Sequence, residues 1–172
     1  FDDMRPTPEC SFAIRHLVCR PGVNTTASHN PKEYNGYKAY WEDGAQVLSP
    51  HDTGIIDEVN KVTVADVKFA ANKDLIQIIG EEIDKAYLEK IRTVCIDPEV
   101  IKRQKDLKIV YTPLHGTGMM LIPQSLKGWV CGIVHCGVER IQRSGDLQSV
   151  VSPSHENGEV LTLALRDANE ID

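Results

Sequence analysis

The residues best placed to do chemistry lie in the run Thr26-Ala27-Ser28-His29-Asn30-Pro31. Val23 to Thr26 is rich in β-formers, so a short buried strand is expected to end just before Ser28 and present its hydroxyl at a sheet edge. Pro31 confines Asn30 to extended geometry, and the Asn30 side chain can brace a turn, which together give a stiff loop. His29 can hydrogen-bond a phosphate or move a proton near Ser28. Lys38 follows Asn35-Gly36 by two residues and can return to the same place as a cation.

Together they make a small, local basic pocket in an acidic chain, in which Ser28 could serve as a catalytic hydroxyl. A serine hydrolase fits less well. Ser28 lacks the G-x-S-x-G elbow, and no acidic partner for His29 can be assigned. Ser, His, Asn and Pro are also ordinary loop residues, and Lys38 reads equally as a solvated strand residue. A second candidate element is His115-Gly116-Thr117-Gly118, where glycines ahead of a helix let backbone amides approach an anion; the alternative is a plain strand-to-helix turn.

The elements that must position these groups alternate along the chain. Thr7-Pro8-Glu9 signals a helix start, followed by Cys10, Ala13, Ile14, Leu17 and Val18 at helical spacing, so a helix is predicted over about 8–19, ended by Pro21-Gly22. Asn35-Gly36 predicts a tight turn with positive φ, followed by a strand over 37–41. Ile55, Ile56, Val59 and Val62 predict a helical face, residues 63–74 a surface excursion, and residues 81–94 a helix with a Glu81/Lys85 pair. A strand over 108–112, a helix over about 122–128, strands over 132–136 and 150–152 and a helix over 159–169 follow. The expected class is α/β, with mixed or mainly parallel sheets flanked by helices.

The 172 residues are 41% hydrophobic and 26% charged, which suits a packed soluble protein rather than a disordered one. A formal charge of −6 opposes binding to nucleic acid or an anionic membrane. No membrane span or signal peptide is read, so a cytoplasmic location is expected. Five cysteines form no paired CxxC pattern, and reduced thiols are the simplest reading. Zinc at Cys131, His135 and Cys136 is disfavoured, because neighbours at 135 and 136 would face opposite sides of a strand.

The stretch from Thr26 to Lys38 resembles the TASHNP-x-x-YNG-x-K segment of the phosphoglucomutase/phosphomannomutase (α-D-phosphohexomutase) family. Arg5-Pro6-Thr7-Pro8 is similar to that family's segment ahead of its first-domain helix, and Thr112 to Gly118 to the opening of its second domain. The resemblance implies two partial phosphohexomutase-type domains: residues 1–87 with the phosphoserine loop, and 88–172 as an incomplete second domain ending before the metal loop. It implies catalytic roles for Ser28, His29 and Lys38, with support from Thr26, Asn30, Asn35, Gly36, His115 and Gly116. Ser28 would carry phosphate and offer one phosphate oxygen to Mg²⁺.

The reaction implied is movement of phosphate between C1 and C6 of a hexose phosphate through a sugar 1,6-bisphosphate. Phosphopentomutase chemistry and a non-catalytic phosphosugar-binding module are the alternatives. The family's D-x-D-x-D-R metal loop has no counterpart in this sequence, so the remaining Mg²⁺ ligands are expected outside it and the isolated chain is expected to turn over little substrate. Ser152-Pro153-Ser154-His155-Glu156-Asn157 departs from the P-N-P-E more usual there, and 130–147 matches poorly.

Overall fold

The computed structural model describes residues 1–104, 106–129, 134–136, 146 and 158–171. The predicted strand over 150–152 and the segment Ser152–Asn157 lie outside the described residues.

Helix α1 spans Thr7–His16, with Pro8 in its first turn, where a missing N–H costs nothing, and Glu9 at the positive dipole end. It stops short of the predicted boundary. Leu17 leaves helical geometry and Val18 turns to φ 55°, so the chain reverses before Pro21 is reached. Strand β1 (Gly22–Thr26) then pairs antiparallel with β2 (Gly36–Tyr40), Gly22 opposite Tyr40 and Thr26 opposite Gly36. A parallel pairing is closed to them, since residues 27–35 are too few for a crossover. Gly22 is required by packing: a Cβ there would collide with the Ile14 side chain, so only glycine lets α1 lie on the ribbon.

Asn35-Gly36 does not form the predicted positive-φ turn. Lys32–Tyr34 makes a single 3-10 turn, Asn35 is extended at φ −55° and ψ 130°, and Gly36 opens β2. The left-handed residue in this connection is Ser28.

Helix α2 (His51–Val59) forms as its periodicity predicts, yet Ile56, Val59 and Val62 stay exposed. Residues 63–74 are a surface excursion with a 3-10 turn at Val64–Asp66, closed by a capping box between Thr63 and Asp66. Helix α3 (Glu81–Arg92) carries the expected Lys85–Glu81 pair at 2.7 Å. It buries Ile83 and sets Tyr87 against Phe12 of α1, ring centroids 5.3 Å apart. Val94, predicted on its apolar side, lies past the helix end and is exposed.

A short helix not anticipated from sequence, α4 (Pro98–Arg103), is capped by Asp97, whose carboxylate accepts from Glu99 N and Val100 N, both at 3.0 Å. Strand β3 (Ile109–Tyr111) and β4 (Val134–Cys136) pair in parallel across helix α5 (Ile122–Trp129), a βαβ unit. Helix α6 (Gly158–Glu170) packs on β3. The fold is therefore mixed α/β, with one antiparallel and one parallel pair among the described residues rather than a mainly parallel sheet. No helix among them is long and apolar enough to cross a membrane.

The segment ahead of α1 is tied to α3 by charge. Arg5 Nε and Nη2 donate to the two oxygens of Asp84 at 2.7 and 2.9 Å, and Nη2 also meets Asp2 at 3.1 Å. The Arg5 and Asp84 side chains are only 4% and 7% exposed. Burial pushes the Asp84 carboxyl up, but the bonds from Arg5 and Glu9 outweigh it and hold it below its ordinary value.

Glu9 beside them is fully buried. As a carboxylate it would be an acceptor with neither oxygen partnered. As a neutral acid its O–H can point at Asp84. Burial first, and the hydrogen bond and charge of Asp84 next, push its pKa up to about 8 from an ordinary 4.5.

Two outcomes are expected. Arg5→Ala, by stranding Asp84, should lower unfolding free energy by roughly 3–5 kcal/mol, whereas replacing both partners by apolar residues of similar volume should cost much less; urea denaturation checks both. For Glu9 the folded state holds a proton that the unfolded state has lost between pH about 4.5 and about 8, so its contribution is full below that window and falls as pH rises through it. The difference in urea midpoint between wild type and Glu9→Gln should shift in favour of Glu9→Gln from pH 5.5 to 8.5, a pH-independent difference being the contrary result.

Candidate functional site

An open cleft of about 600 Å³ lies where β1, the residues after it and the residues after β3 meet. Its walls are the amino-terminal residues Phe1, Asp3, Met4 and Arg5, one side of α1 through Thr7 and Cys10, the ribbon from Val23 to Thr26, the loop residues Ala27, Ser28, Asn30, Lys32 and Asn35, and Leu114 to Thr117. Of the residues singled out from sequence, Thr26, Ser28, Asn30, Asn35, His115 and Gly116 come together here across a separation no local pattern specifies. His29, Gly36 and Lys38 do not line it.

Ser28 sits two residues after the end of β1 at φ 59°, exposed. The conformation is held by Thr26, whose hydroxyl accepts from Ser28 N at 2.9 Å, and by Asn30 N donating to Ala27 O at 3.0 Å. A side chain bearing Cβ pays roughly 1–2 kcal/mol for this region, so the loop stores strain at the serine. Ser28 Oγ lies 3.3 Å from His29 Nδ1, close enough to pass its proton when that nitrogen is the bare one of the ring.

Lys38 is half-buried on β2, directly opposite Asn24. Because side chains alternate along a strand, Lys38 shares a ribbon face with Asn24 and Thr26, both of which reach the cleft. Asn24 is fixed there by its Nδ2 donating to Thr7 Oγ1 at 2.8 Å.

On the opposite wall Leu114 and His115 also have positive φ, 49° and 63°. His115 is buried. Gly116 N donates to Pro113 O at 2.8 Å and closes the turn. Gly118 is glycine because a Cβ there would run into the Tyr111 hydroxyl. The segment is a tight strand-to-helix turn that also faces the cleft.

Three cleft residues escape a reading of the sequence alone: Arg5, Asn24 and Lys32. Arg5 and Asn24 are recognised only through their long-range partners. Lys32 follows Pro31 within the loop, and its ammonium hydrogen-bonds Asp146, 114 positions away.

The family described as phosphoglucomutase/phosphomannomutase, alpha/beta/alpha domain I, matches residues 1–66, which include α1, the ribbon and the serine loop. Over 99% of its length the chain is 32% identical to a human phosphopentomutase and 33% identical to a phosphoglucomutase of Staphylococcus haemolyticus, covering 29% and 31% of those proteins. Residues 1–66 thus match the first domain of the phosphoglucomutase/phosphomannomutase family, and the whole chain is similar to its members. It is also 34% identical, over 96% of its length, to a glucose 1,6-bisphosphate synthase of Pongo abelii, of which it covers 27%.

In fold the chain matches a Thermus thermophilus protein solved as a candidate phosphomannomutase. The TM-score is 0.69 at 22% identity, over 96% of this chain and 35% of that one. The chain thus spans about a third or less of the relatives it matches.

Because Ser28 is strained, Ser28→Gly should leave the chain as stable or raise its unfolding free energy by about 0.5–1 kcal/mol, since the relief of positive φ exceeds the entropy glycine loses on folding. Ser28→Ala, which keeps the Cβ, should give no such gain. Thermal denaturation of the two variants side by side reads the difference.

Proposed function

We propose that this chain forms the phosphoserine part of a phosphomutase that moves a phosphoryl group between C1 and C6 of a hexose phosphate. The observation that carries the reading is Ser28 itself: an exposed hydroxyl after β1, on a strained and hydrogen-bonded loop, with His29 Nδ1 at 3.3 Å and a cleft before it.

In the proposed reaction Ser28 Oγ gives its proton to His29 and attacks phosphorus of a sugar 1,6-bisphosphate. The new O–P bond forms as the sugar's O–P bond breaks, and the sugar oxygen takes a proton, for which Lys38 is the proposed general acid. Return of the phosphoryl group to the other hydroxyl of a reoriented sugar monophosphate regenerates the serine and the bisphosphate. The stiff loop contributes positioning, which is most of what the protein must add to phosphoryl transfer. Thr26, Asn30 and Asn35 support the loop, and His115 and Gly116 face it from the other wall.

A magnesium ion enters this proposal only through the oxygen that a phosphate on Ser28 would offer. Among the described residues no three His, Cys, Asp or Glu side chains gather to hold a metal ion, so the residues present do not by themselves fit one. A hexose phosphate is the proposed substrate, and cytoplasm the proposed location. Phosphopentomutase activity is the second reading, favoured by the 32% identity to the human phosphopentomutase.

The test uses the natural protein that carries this sequence. Incubation with glucose 1,6-bisphosphate should add one phosphoryl group at Ser28 by intact-mass and peptide analysis. Ser28→Ala should lose the modification together with at least about 10³-fold in kcat. An unmodified wild-type serine in an active enzyme would overturn the assignment, and parallel assays on glucose 1-phosphate and ribose 1-phosphate distinguish the two sugars.

A further inference from the structure

Three cationic side chains stand in or beside the cleft, and they are not equivalent. Arg5 lines it but is enclosed and held bidentate by Asp84. Lys38 lies on the adjoining ribbon face without lining it. Lys32 both lines the cleft and keeps its side chain 58% exposed.

The Lys32 ammonium is engaged by Asp146, whose side chain is 71% exposed. An ion pair this open to water is held weakly, because solvent screens it and two mobile side chains lose entropy in making it. It still has a consequence. The pair hydrogen-bonds the serine loop to a residue 114 positions along the chain and engages the exposed lysine that lines the cleft. A phosphate monoester carries more charge than one carboxylate and offers several acceptor oxygens, so it is the stronger partner for an ammonium.

We propose that Lys32 is a phosphate-recognition residue latched by Asp146, its ammonium exchanging from the Asp146 carboxylate to a phosphate monoester that enters the cleft. The inference rests on the phosphate-handling reading of this site and adds a residue and a competition to it. Lys32 is anchored for the exchange: Pro31 precedes it, and its carbonyl accepts from Asn35 N at 3.1 Å, so the side chain moves while the backbone stays. The hydrogen bond between them, and then their opposite charges, raise the Lys32 pKa and lower that of Asp146, as expected of a pair that an incoming anion must displace.

Binding of inorganic phosphate to the full chain at low salt, read by calorimetry, tests it. Asp146→Asn should tighten binding by about two- to fivefold, the range expected when an exposed pair no longer competes. Lys32→Gln should weaken binding, and the double variant should behave as Lys32→Gln because no ammonium remains to release. Asp57→Asn, the same charge change on α2, should leave affinity within about twofold.

The proposal is overturned if Asp146→Asn binds as wild type, if its gain persists in the Lys32→Gln background, or if Asp57→Asn gives the same gain. Ser28→Ala separates this idea from the catalytic one: phosphate binding and its response to Asp146→Asn should survive there although no phosphoserine forms. Failure of Ser28 phosphorylation alone would therefore remove the mutase reading, and failure of the Asp146 response alone would remove the latch.

Discussion

The ion pair between Arg5 and Asp84 is the constraint on which the amino-terminal part depends. It joins residues 79 positions apart, with both side chains removed from water. Desolvation of that kind is tolerable only when the geometry is bidentate and the remaining lone pairs are met, and Asp2 and the neutral form of Glu9 complete the set. By fixing Arg5 at the entry to α1 against α3, the pair sets where α1 lies on the ribbon. The ribbon then determines where Ser28 emerges. Hydrophobic burial at Ala13, Ile14 and Ile83 stabilises the same contact without specifying its register.

Much of this is legible in the residues themselves. The serine loop, the helix beginning at Thr7 and the strand before Ser28 all follow from local chemistry: a proline in the first turn, β-branched residues, and a proline closing the loop. What cannot be read has a common cause. Arg5 and Asp84 have no local signature as partners, and a buried glutamate inside an otherwise ordinary helix start looks like a dipole-favoured surface acid. Asn35-Gly36 misleads because its turn propensity belongs to the dipeptide in isolation. In the folded loop Pro31 and the 3-10 turn at Lys32–Tyr34 already reverse the chain, leaving Asn-Gly to begin a strand. The helix at Pro98 has its start signal in Asp97, Pro98 and Glu99, but it is too short to show an apolar period.

The cleft also explains why its two walls are locally costly. Of the four non-glycine residues at positive φ among those described, Ser28, Leu114 and His115 line the cleft, and only Val18 does not. Each is tied by a bond made at short range: Ser28 N to Thr26 Oγ1, Leu114 N to Thr112 Oγ1, and the turn closed by Gly116 N on Pro113 O. A threonine hydroxyl two residues upstream serves both walls. Such bonds return part of the strain and make the unusual backbone the stable local state. A loop held this way changes little when a ligand arrives, which favours a reaction whose main demand is alignment.

Electrostatics follows the same logic. A chain of net charge −6 can attract an anion only where its cations stay local. The carboxylates near this cleft have divergent effects. Asp84 and Asp2 hold Arg5 in a low-exposure pocket, so that guanidinium acts as architecture and its charge is largely cancelled before a ligand is met. Asp146 meets Lys32 in water, where the same kind of pairing is weak and reversible. Burial, rather than residue type, therefore separates the structural cation from the responsive one. The asymmetry also follows from side-chain chemistry: a planar guanidinium suits two fixed carboxylate oxygens, whereas an ammonium on a flexible stem exchanges partners with little rearrangement.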